Sequence, residues 1–549
     1  MMKKANILYI EHPTLGENTL ESNKKFIKSI FEPLHYDVEI TMYLKKDILR
    51  DVIGEIVTSK SVDVIFCDLT FGDRKDGMGY NLLGLDTVTF LKKMYPEIII
   101  CGISGAGISY RDTTSRDRIP TFDLFVDKAR FGDPVYKGYV SEEMRRIFCS
   151  NTEIELVTDN LPDGKLKNFA NEPSFKRVLK KITFTNYNED DGIHVKKIVL
   201  YPTKGGYSSS YVFKMVCFTK NGEQVIRSVI KCSEKANALQ EINNYMTYVK
   251  WYLPYTWRPE LLSYAFVKLL ETDYGVICYS FAYNDDVLFS SLADKISTGE
   301  YETVEKVIDN IFSNSHKQWY GQSNRQTQPK NINDYYSDVY FLRDEQIKPY
   351  NAVERLVHLL GGHTQYDKYV INGMKFPSAY KLFVNIVANT YEECICHGDL
   401  HANNILLSGG TNDKNNEIIF IDFQKTGKGH VFQDFVIFEL SLRLYHTPTE
   451  DVSFDTLLKN EIAISQDDFS LVDENSILSC VKKVRTIAKE SFKEENFDTY
   501  LLSMAMRAFK LFRDIEAAPD NWKAKVILAV LLANLLELDN KKEKGISTI

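Results

Sequence analysis

His397–Leu407, HGDLHANNILL, and Ile418–Gln424, IIFIDFQ, are separated by the polar stretch SGGTNDKNNE, and together they decide how the chain reads. Ile405–Leu407 and Ile418–Ile421 are apolar strand-forming runs on either side of turn residues. They predict a hairpin whose pairing returns Asp422 to the neighbourhood of Asn404. Asp399 lies five residues before Asn404, on the loop that enters the hairpin. A carboxylate, an amide oxygen and a second carboxylate then converge at one end of that hairpin. Hard oxygen donors of this kind suit magnesium rather than zinc, and magnesium usually arrives with phosphates. The plain alternative is a chance polar loop beside a core strand.

Taken together, His397, Gly398, Asp399, Asn404 and Ile421-Asp422-Phe423 resemble the catalytic loop and metal-binding aspartate of the protein-kinase-like fold. More narrowly they resemble the aminoglycoside and choline phosphotransferase branch. The resemblance implies Asp399 as the base for a substrate hydroxyl, Asn404 and Asp422 as the holders of Mg2+, and ATP as the donor. His401 stands where protein kinases usually place a lysine and small-molecule phosphotransferases often a histidine. Ala402 replaces the proline of the HPxN pattern in those enzymes, which leaves the acceptor open.

Upstream, the pieces of a first lobe follow in the expected order. HVKKIVLYP, SYVFKMVCFT and QVIRSVIKCS read as antiparallel strands, the last two joined at Asn221-Gly222. Gly205, Gly206, Ser208 and Ser209 lie between two of these strands, where small residues let backbone amides approach phosphate oxygens; a plain hairpin turn reads the same way. Lys231 ends an apolar strand, and Glu241 sits ten residues on, in a helix expected over Lys235–Val249. The pair resembles the strand lysine and helix glutamate of the kinase fold, with Lys235 and Glu234 as competing assignments. Gly275–Phe281 is the expected hinge strand. Asp434 resembles a structural aspartate of the small-molecule family and carries no assigned chemistry.

Residues 5 to about 148 alternate short β-type runs with amphipathic helical ones, the pattern of βα units on a parallel sheet. Strands are expected at Asn6–Ile10, Asp37–Ile40, Val62–Cys67, Ile98–Ile103 and Phe122–Val126. Helices are expected at Thr19–Phe31, Ile48–Ser59, Leu82–Met94 and Glu142–Phe148. Polar residues collect at the strand ends, where open α/β sheets place their sites: Glu11 and His12, Asp68, Ser104 and Lys128. The arrangement resembles a response-regulator receiver domain. That resemblance implies Asp68 as a phosphoacceptor served by a histidine kinase, Ser104 and Lys128 as its phosphoryl contacts, and Phe125 as the aromatic switch. The family's paired acidic residues are here Glu11-His12, and an imidazole is a poor magnesium ligand. A degenerate domain kept as a docking or dimer surface is the other reading, and an unrelated flavodoxin-like domain a third.

The whole chain has 549 residues, enough for several domains, with 44% hydrophobic and 26% charged residues, as in soluble globular proteins. Its formal charge of −8 argues against a sequence-independent nucleic-acid binder. The nine cysteines lie mostly in apolar runs, which suggests reduced core thiols rather than a disulfide scaffold or zinc site. The N-terminal apolar run is too short for a signal peptide. Val526–Leu538, broken by Asn534 and Glu537, reads as a buried helix rather than a membrane span, and the protein as cytoplasmic.

The expected organisation is therefore a five-stranded doubly wound receiver-like domain at 1–150, a linker or connecting helix at 151–190, an antiparallel N-lobe at 191–283 and a mostly helical C-lobe at 284–549. The function it implies is phosphoryl transfer from ATP to a hydroxyl of a small molecule or protein. A nucleotide-binding, pseudokinase-like signalling scaffold in a bacterial two-component or conflict system is the rival. An antibiotic-modifying enzyme is a third reading, which asks for acidic pocket residues such as Asp285, Asp286, Asp338 and Glu345.

Overall fold

In the computed structural model the described residues are 3–544, except 12–14, 45–49, 70–86, 89, 92–94, 96–97, 105–122, 187–194, 204–209, 270–271, 281–289, 315–318, 322–324, 342–346, 385–386, 409–416, 447–451, 471–475 and 494. The chain divides into two compact units, one of residues 1–239 with 260–281, the other of 240–259 with 282–549.

The first unit opens with a parallel sheet of β1 (Lys3–Ile10), β2 (Tyr36–Tyr43), β3 (Val64–Asp68), β4 (Ile99–Ser104) and β5 (Leu124–Asp127). Its order is β2-β1-β3-β4-β5, with all pairs parallel. The strands read as continuous apolar runs because the sheet is covered on both faces. Ala5, Ile7 and Tyr9 of β1 face one core with α1 (Glu17–Phe31) and α3 (Pro134–Glu153), while Leu8 and Ile10 face the other with α2 (Arg50–Ser59). Helix α3 starts at Pro134, earlier than the expected Glu142. Asp133 caps it by accepting from the amides of Val135 and Tyr136, and Pro134 fits the first turn. The expected helix Leu82–Met94 falls mostly outside the described residues.

A second sheet follows in the order β10-β11-β9-β8-β7-β6. Its strands are β6 (Glu155–Val157), β7 (Val195–Pro202), β8 (Tyr211–Thr219), β9 (Gln224–Glu234), β10 (Leu261–Leu269) and β11 (Thr272–Ser280). All pairs are antiparallel except β6 with β7. The segment expected to be a linker or connecting helix holds β6 and two helices, α4 (Lys165–Asn171) and α5 (Pro173–Asn186). Their Phe169, Phe175, Val178 and Leu179 share a core with Phe213, Met215 and Cys232 of the sheet, so buried apolar residues override the polar composition. Helix α6 (Lys235–Asn244) follows β9 directly. It approaches β11 closely because Gly275 has no side chain; a Cβ there would lie 2.2 Å from that of Ala238.

Among the described residues of the second unit, three small sheets accompany the helices, where the sequence predicts mostly helices and one short hairpin near 405–422. Most of the additional described strands are two to four residues long, as in β14 (His363–Gln365), β15 (Lys368–Ile371) and β16 (Met374–Pro377), too short to show a period of two. The helical core is built from α12 (Gln433–Tyr445), α13 (Phe454–Ser465), α14 (Ile477–Ser491), α15 (Asp498–Leu511) and α16 (Trp522–Glu543). Val526–Leu535 of α16 is buried throughout. A buried ionic network ties four of these helices. Glu439 of α12 accepts from Arg443 at 2.9 Å, from Arg485 of α14 at 3.0 Å and from the Tyr500 hydroxyl of α15, and Arg443 also reaches Glu461 of α13 at 2.7 Å. The eight described cysteines are buried. Among the described residues no helix is long and apolar enough to cross a membrane.

Candidate active site

β17 (Tyr391–Cys396) delivers the chain into the loop that begins at His397. Two backbone amides of that loop are pinned by one side chain: Asp434, in the first turn of α12, accepts from His397 N at 2.7 Å and from Gly398 N at 2.9 Å. Tyr320 donates to the same carboxylate at 2.9 Å. Burial raises Asp434 to about 6, with the three donated hydrogen bonds opposing, so at neutral pH it is a carboxylate. Gly398 takes φ +79°, and a Cβ there would fall 2.1 Å from the carbonyl oxygen of Lys425, so only glycine fits. His397 is buried, Nε2 lies 3.0 Å from Ile421 O, and burial lowers its pKa to about 4. It is therefore neutral, with its proton on Nε2.

The hairpin forms in the expected place. β18 (Ile405–Ser408) pairs antiparallel with β19 (Glu417–Phe420), with Ile405 opposite Phe420. One further bond, Ile421 N to Asn404 O at 3.1 Å, carries the pairing to the loop and sets Asp422 next to it. Asp422 adopts φ +66°, a left-handed conformation that costs a non-glycine residue about 1–2 kcal/mol and is typical of functional turns. The turn after it is held by Asn244 of α6, whose amide donates to Gln424 O at 2.7 Å. Asn404 Nδ2 donates to Asp399 O at 2.9 Å, which commits the amide nitrogen to the loop and leaves Oδ1 as the group that could ligate a cation. Asn404 and Asp422 thus supply hard oxygens on neighbouring positions, a fit to magnesium.

Asp399 has two cationic neighbours. Lys425 Nζ is 2.6 Å from Oδ2 and Arg507 Nη2 is 3.3 Å from Oδ1. Burial alone would raise its pKa, but Arg507, Lys425 and His401 outweigh it and hold the carboxyl well below the usual range. Arg507 and Lys510 come from α15, and neither was found by reading the sequence. No motif marks them, and they reach the loop from about a hundred residues away. Lys510 Nζ sits 4.6 Å from the Tyr340 ring centroid and is lowered to about 7 by burial and by Arg507 and Lys425.

The first-lobe residues divide between the two units. Lys231 is buried on β9, between Val212 of β8 and Ile277 of β11. Glu241 is buried on α6, in the second unit. Of their competitors, Glu234 is exposed at the end of β9, and Lys235 lies over the Phe266 ring at 5.6 Å. Gly205, Gly206, Ser208 and Ser209 lie outside the described residues, as does His12.

A second cluster forms at the strand ends of the N-terminal sheet. Lys128, directly after β5, donates to Glu11 Oε2 at 2.5 Å and to Asp68 Oδ2 at 2.7 Å, and Ser104 is buried at the end of β4. Tyr9 donates to Glu11, and Asn23 donates to Tyr9 at 2.9 Å. Burial first, then Asp68, raises Glu11 to about 7. The four described residues that the sequence singled out here are brought together.

A profile described as the Ecdysteroid kinase-like family matches residues 302–459, the segment that holds the loop, the hairpin and Asp434. This part of the chain is thus similar to kinase-like proteins and supports a phosphotransferase-type domain; the match does not extend to the N-terminal sheet. Among solved structures, an amicoumacin kinase bound to AMP-PNP and Ca2+ matches at 13% identity over 62% of this chain and 88% of its own, with a TM-score of 0.30. A Plasmodium vivax ethanolamine kinase matches at 10% identity over 70% and 99%, TM-score 0.29. A Streptomyces rimosus aminoglycoside phosphotransferase matches at 16% identity over 55% and 95%, TM-score 0.26. Superpositions this loose say nothing of the acceptor. No curated protein sequence matches the chain.

Proposed function

We propose that the chain is an ATP- and magnesium-dependent phosphotransferase that moves the γ-phosphoryl group to a hydroxyl. The observation that carries the reading is the hairpin register, which sets Asp422 and Asn404 side by side at the end of the loop that holds Asp399. In the proposed reaction the acceptor oxygen bonds to the γ-phosphorus, the bond from that phosphorus to the β–γ bridging oxygen breaks, ADP leaves, and the hydroxyl proton passes to Asp399. A carboxylate held as low as Asp399 is always ionised but a weak base, so its first task is to orient the hydroxyl. Asn404 and Asp422 would hold magnesium, which when bound neutralises phosphate charge. By the resemblance, Lys231 with Glu241, and the segment with Gly205, Gly206, Ser208 and Ser209, are the candidates to hold the nucleotide phosphates. Phosphoryl transfer is mostly positioning and electrostatics, so these groups suffice once the acceptor is held.

The test is ADP release in a coupled assay with Asp399→Asn beside the wild type. A loss of about 100-fold or more with unchanged nucleotide affinity is expected; equal activity overturns the catalytic role, and binding without turnover in the wild type favours the scaffold reading. As a regulatory input we propose the N-terminal sheet as a receiver-like domain, with Asp68 as phosphoacceptor and Ser104 and Lys128 as its phosphoryl contacts. The Glu11–Lys128–Asp68 cluster supports this. Incubation with acetyl phosphate should add one phosphate to Asp68 by mass spectrometry, and absence of that adduct would mean a docking surface instead.

A further inference from the structure

We propose that the acceptor served by Asp399 carries an anionic group besides its hydroxyl, a phosphate or carboxylate, and that Arg507 and Lys510 bind it. The inference rests on the phosphotransferase reading and adds the substrate class to it.

Arg507 and Lys510 are three residues apart on α15, so they share one helix face, and both stand over the ring of Tyr340, at 5.7 Å and 4.6 Å from its centroid. Lys425 and Arg507 both pair with one carboxylate, Asp399, and Lys510 follows Arg507 on the same helix face. That carboxylate is already served by Lys425 at 2.6 Å, and Arg507 gives it a single longer contact of 3.3 Å. Among the described residues Arg507 has no other hydrogen-bond partner, and Lys510 has no carboxylate partner at all. Side chains this enclosed are costly to keep charged without a counter-ion. The lowered pKa of Lys510 agrees with a site that has more positive charge than it can neutralise. An anionic ligand would supply the missing charge next to the group that orients the hydroxyl.

Of the acidic residues that a polycationic acceptor could use, Asp285, Asp286 and Glu345 lie outside the described residues and three others are ion-paired. Asp338 pairs with Lys330 at 2.6 Å, Asp498 with Lys541 at 2.8 Å, and Asp514 with Arg513 at 3.3 Å. An aminoglycoside would bring further positive charge to Arg507 and Lys510. The nucleotide's own γ-phosphate is the other source of an anion. Lys425 fits that partner better, because it follows Asp422 by three residues, whereas Arg507 and Lys510 come from a separate helix.

The test is calorimetry on the full chain saturated with magnesium and AMP-PNP, titrated with glycerol 3-phosphate, glycerol and ethanolamine. Glycerol 3-phosphate should bind at least 10-fold more tightly than the neutral and cationic alcohols. Lys510→Gln and Lys510→Met should each abolish that preference while leaving the AMP-PNP affinity within about twofold. The inference is overturned if the wild type shows no preference for the anion, if both variants keep it, or if they weaken AMP-PNP instead, which would assign the two cations to the nucleotide. Failure of the wild type to bind AMP-PNP overturns the phosphotransferase reading itself and this inference with it.

Discussion

Replacing Gly398 by alanine puts a methyl group where the structure has room for none. The Cβ would meet Lys425 O at 2.1 Å, Lys425 C at 2.9 Å and Lys425 Cβ at 3.1 Å, so one strand of the loop must retreat by roughly 1 Å to restore ordinary contact. Two costs add. A non-glycine residue at φ +79° loses about 1–2 kcal/mol, and forcing an extra methyl into a packed site costs about 1–3 kcal/mol. Together they amount to about 2–5 kcal/mol in the second unit. The displacement falls on the segment that carries Lys425 to Asp399 and follows Asp422, so the reacting groups lose register. A misplacement near 1 Å costs roughly 100-fold in rate. Gly132→Ala is the control, since nothing lies within 4 Å of a Cβ there. Urea unfolding and coupled ADP release, both on the full chain, read the two effects. Gly398→Ala with wild-type stability and turnover would refute the account of the loop.

Asp434→Ala removes the acceptor of three buried donors; at about 1–3 kcal/mol each, offset in part by loss of a buried charge, a net destabilisation of about 2–5 kcal/mol is expected by chemical denaturation. Glu439→Ala leaves Arg485 with only the longer 3.8 Å contact to Asp467 and should cost about 3–5 kcal/mol by the same measurement, more than Glu461→Ala, which leaves Arg443 paired with Glu439. The pH dependence follows from His397. Its folded pKa of about 4 lies below the ordinary 6.5, so the unfolded chain binds more protons between those values, and stability falls as pH drops from 6.5 towards 4. At 1.36 kcal/mol per pH unit the His397 share of the loss is about 3 kcal/mol; burial of His430 adds in the same direction, while the raised carboxyls of Asp434 and Glu11 act with the opposite sign. The His397 share is the difference between wild-type and His397→Asn unfolding curves from pH 7 to pH 4: the variant should lose less stability, or gain more, on acidification, and an unchanged slope would contradict a neutral buried imidazole.

Much of the molecule could be read before folding because its signals are local. The continuous apolar runs of β1, β3 and β4 announce a sheet covered on both faces, and the run from His397 to Leu407 places a loop before a strand whatever surrounds it. Asn221-Gly222 marks its turn because only a few residues tolerate that backbone; Gly222 has φ +82°. The segment 155–186 was harder to read, since its polar surface dominates the composition and its few core residues show only against the sheet they cover.

Sequence alone showed which residues could meet: two apolar runs around a polar turn predict a hairpin that returns Asp422 to the neighbourhood of Asn404, and a one-residue slip would turn the apolar faces the wrong way. The structure then sets Ile405 opposite Phe420. Only the tertiary structure decided what surrounds them. Asp434 as the clamp of two loop amides, Gly398 against Lys425, and Arg507 with Lys510 beside Asp399 are all contacts between residues far apart in the chain, and packing of distant helices leaves no period or spacing by which to find them. The charge around Asp399, and with it the proposed preference for an anionic acceptor, is set by that packing.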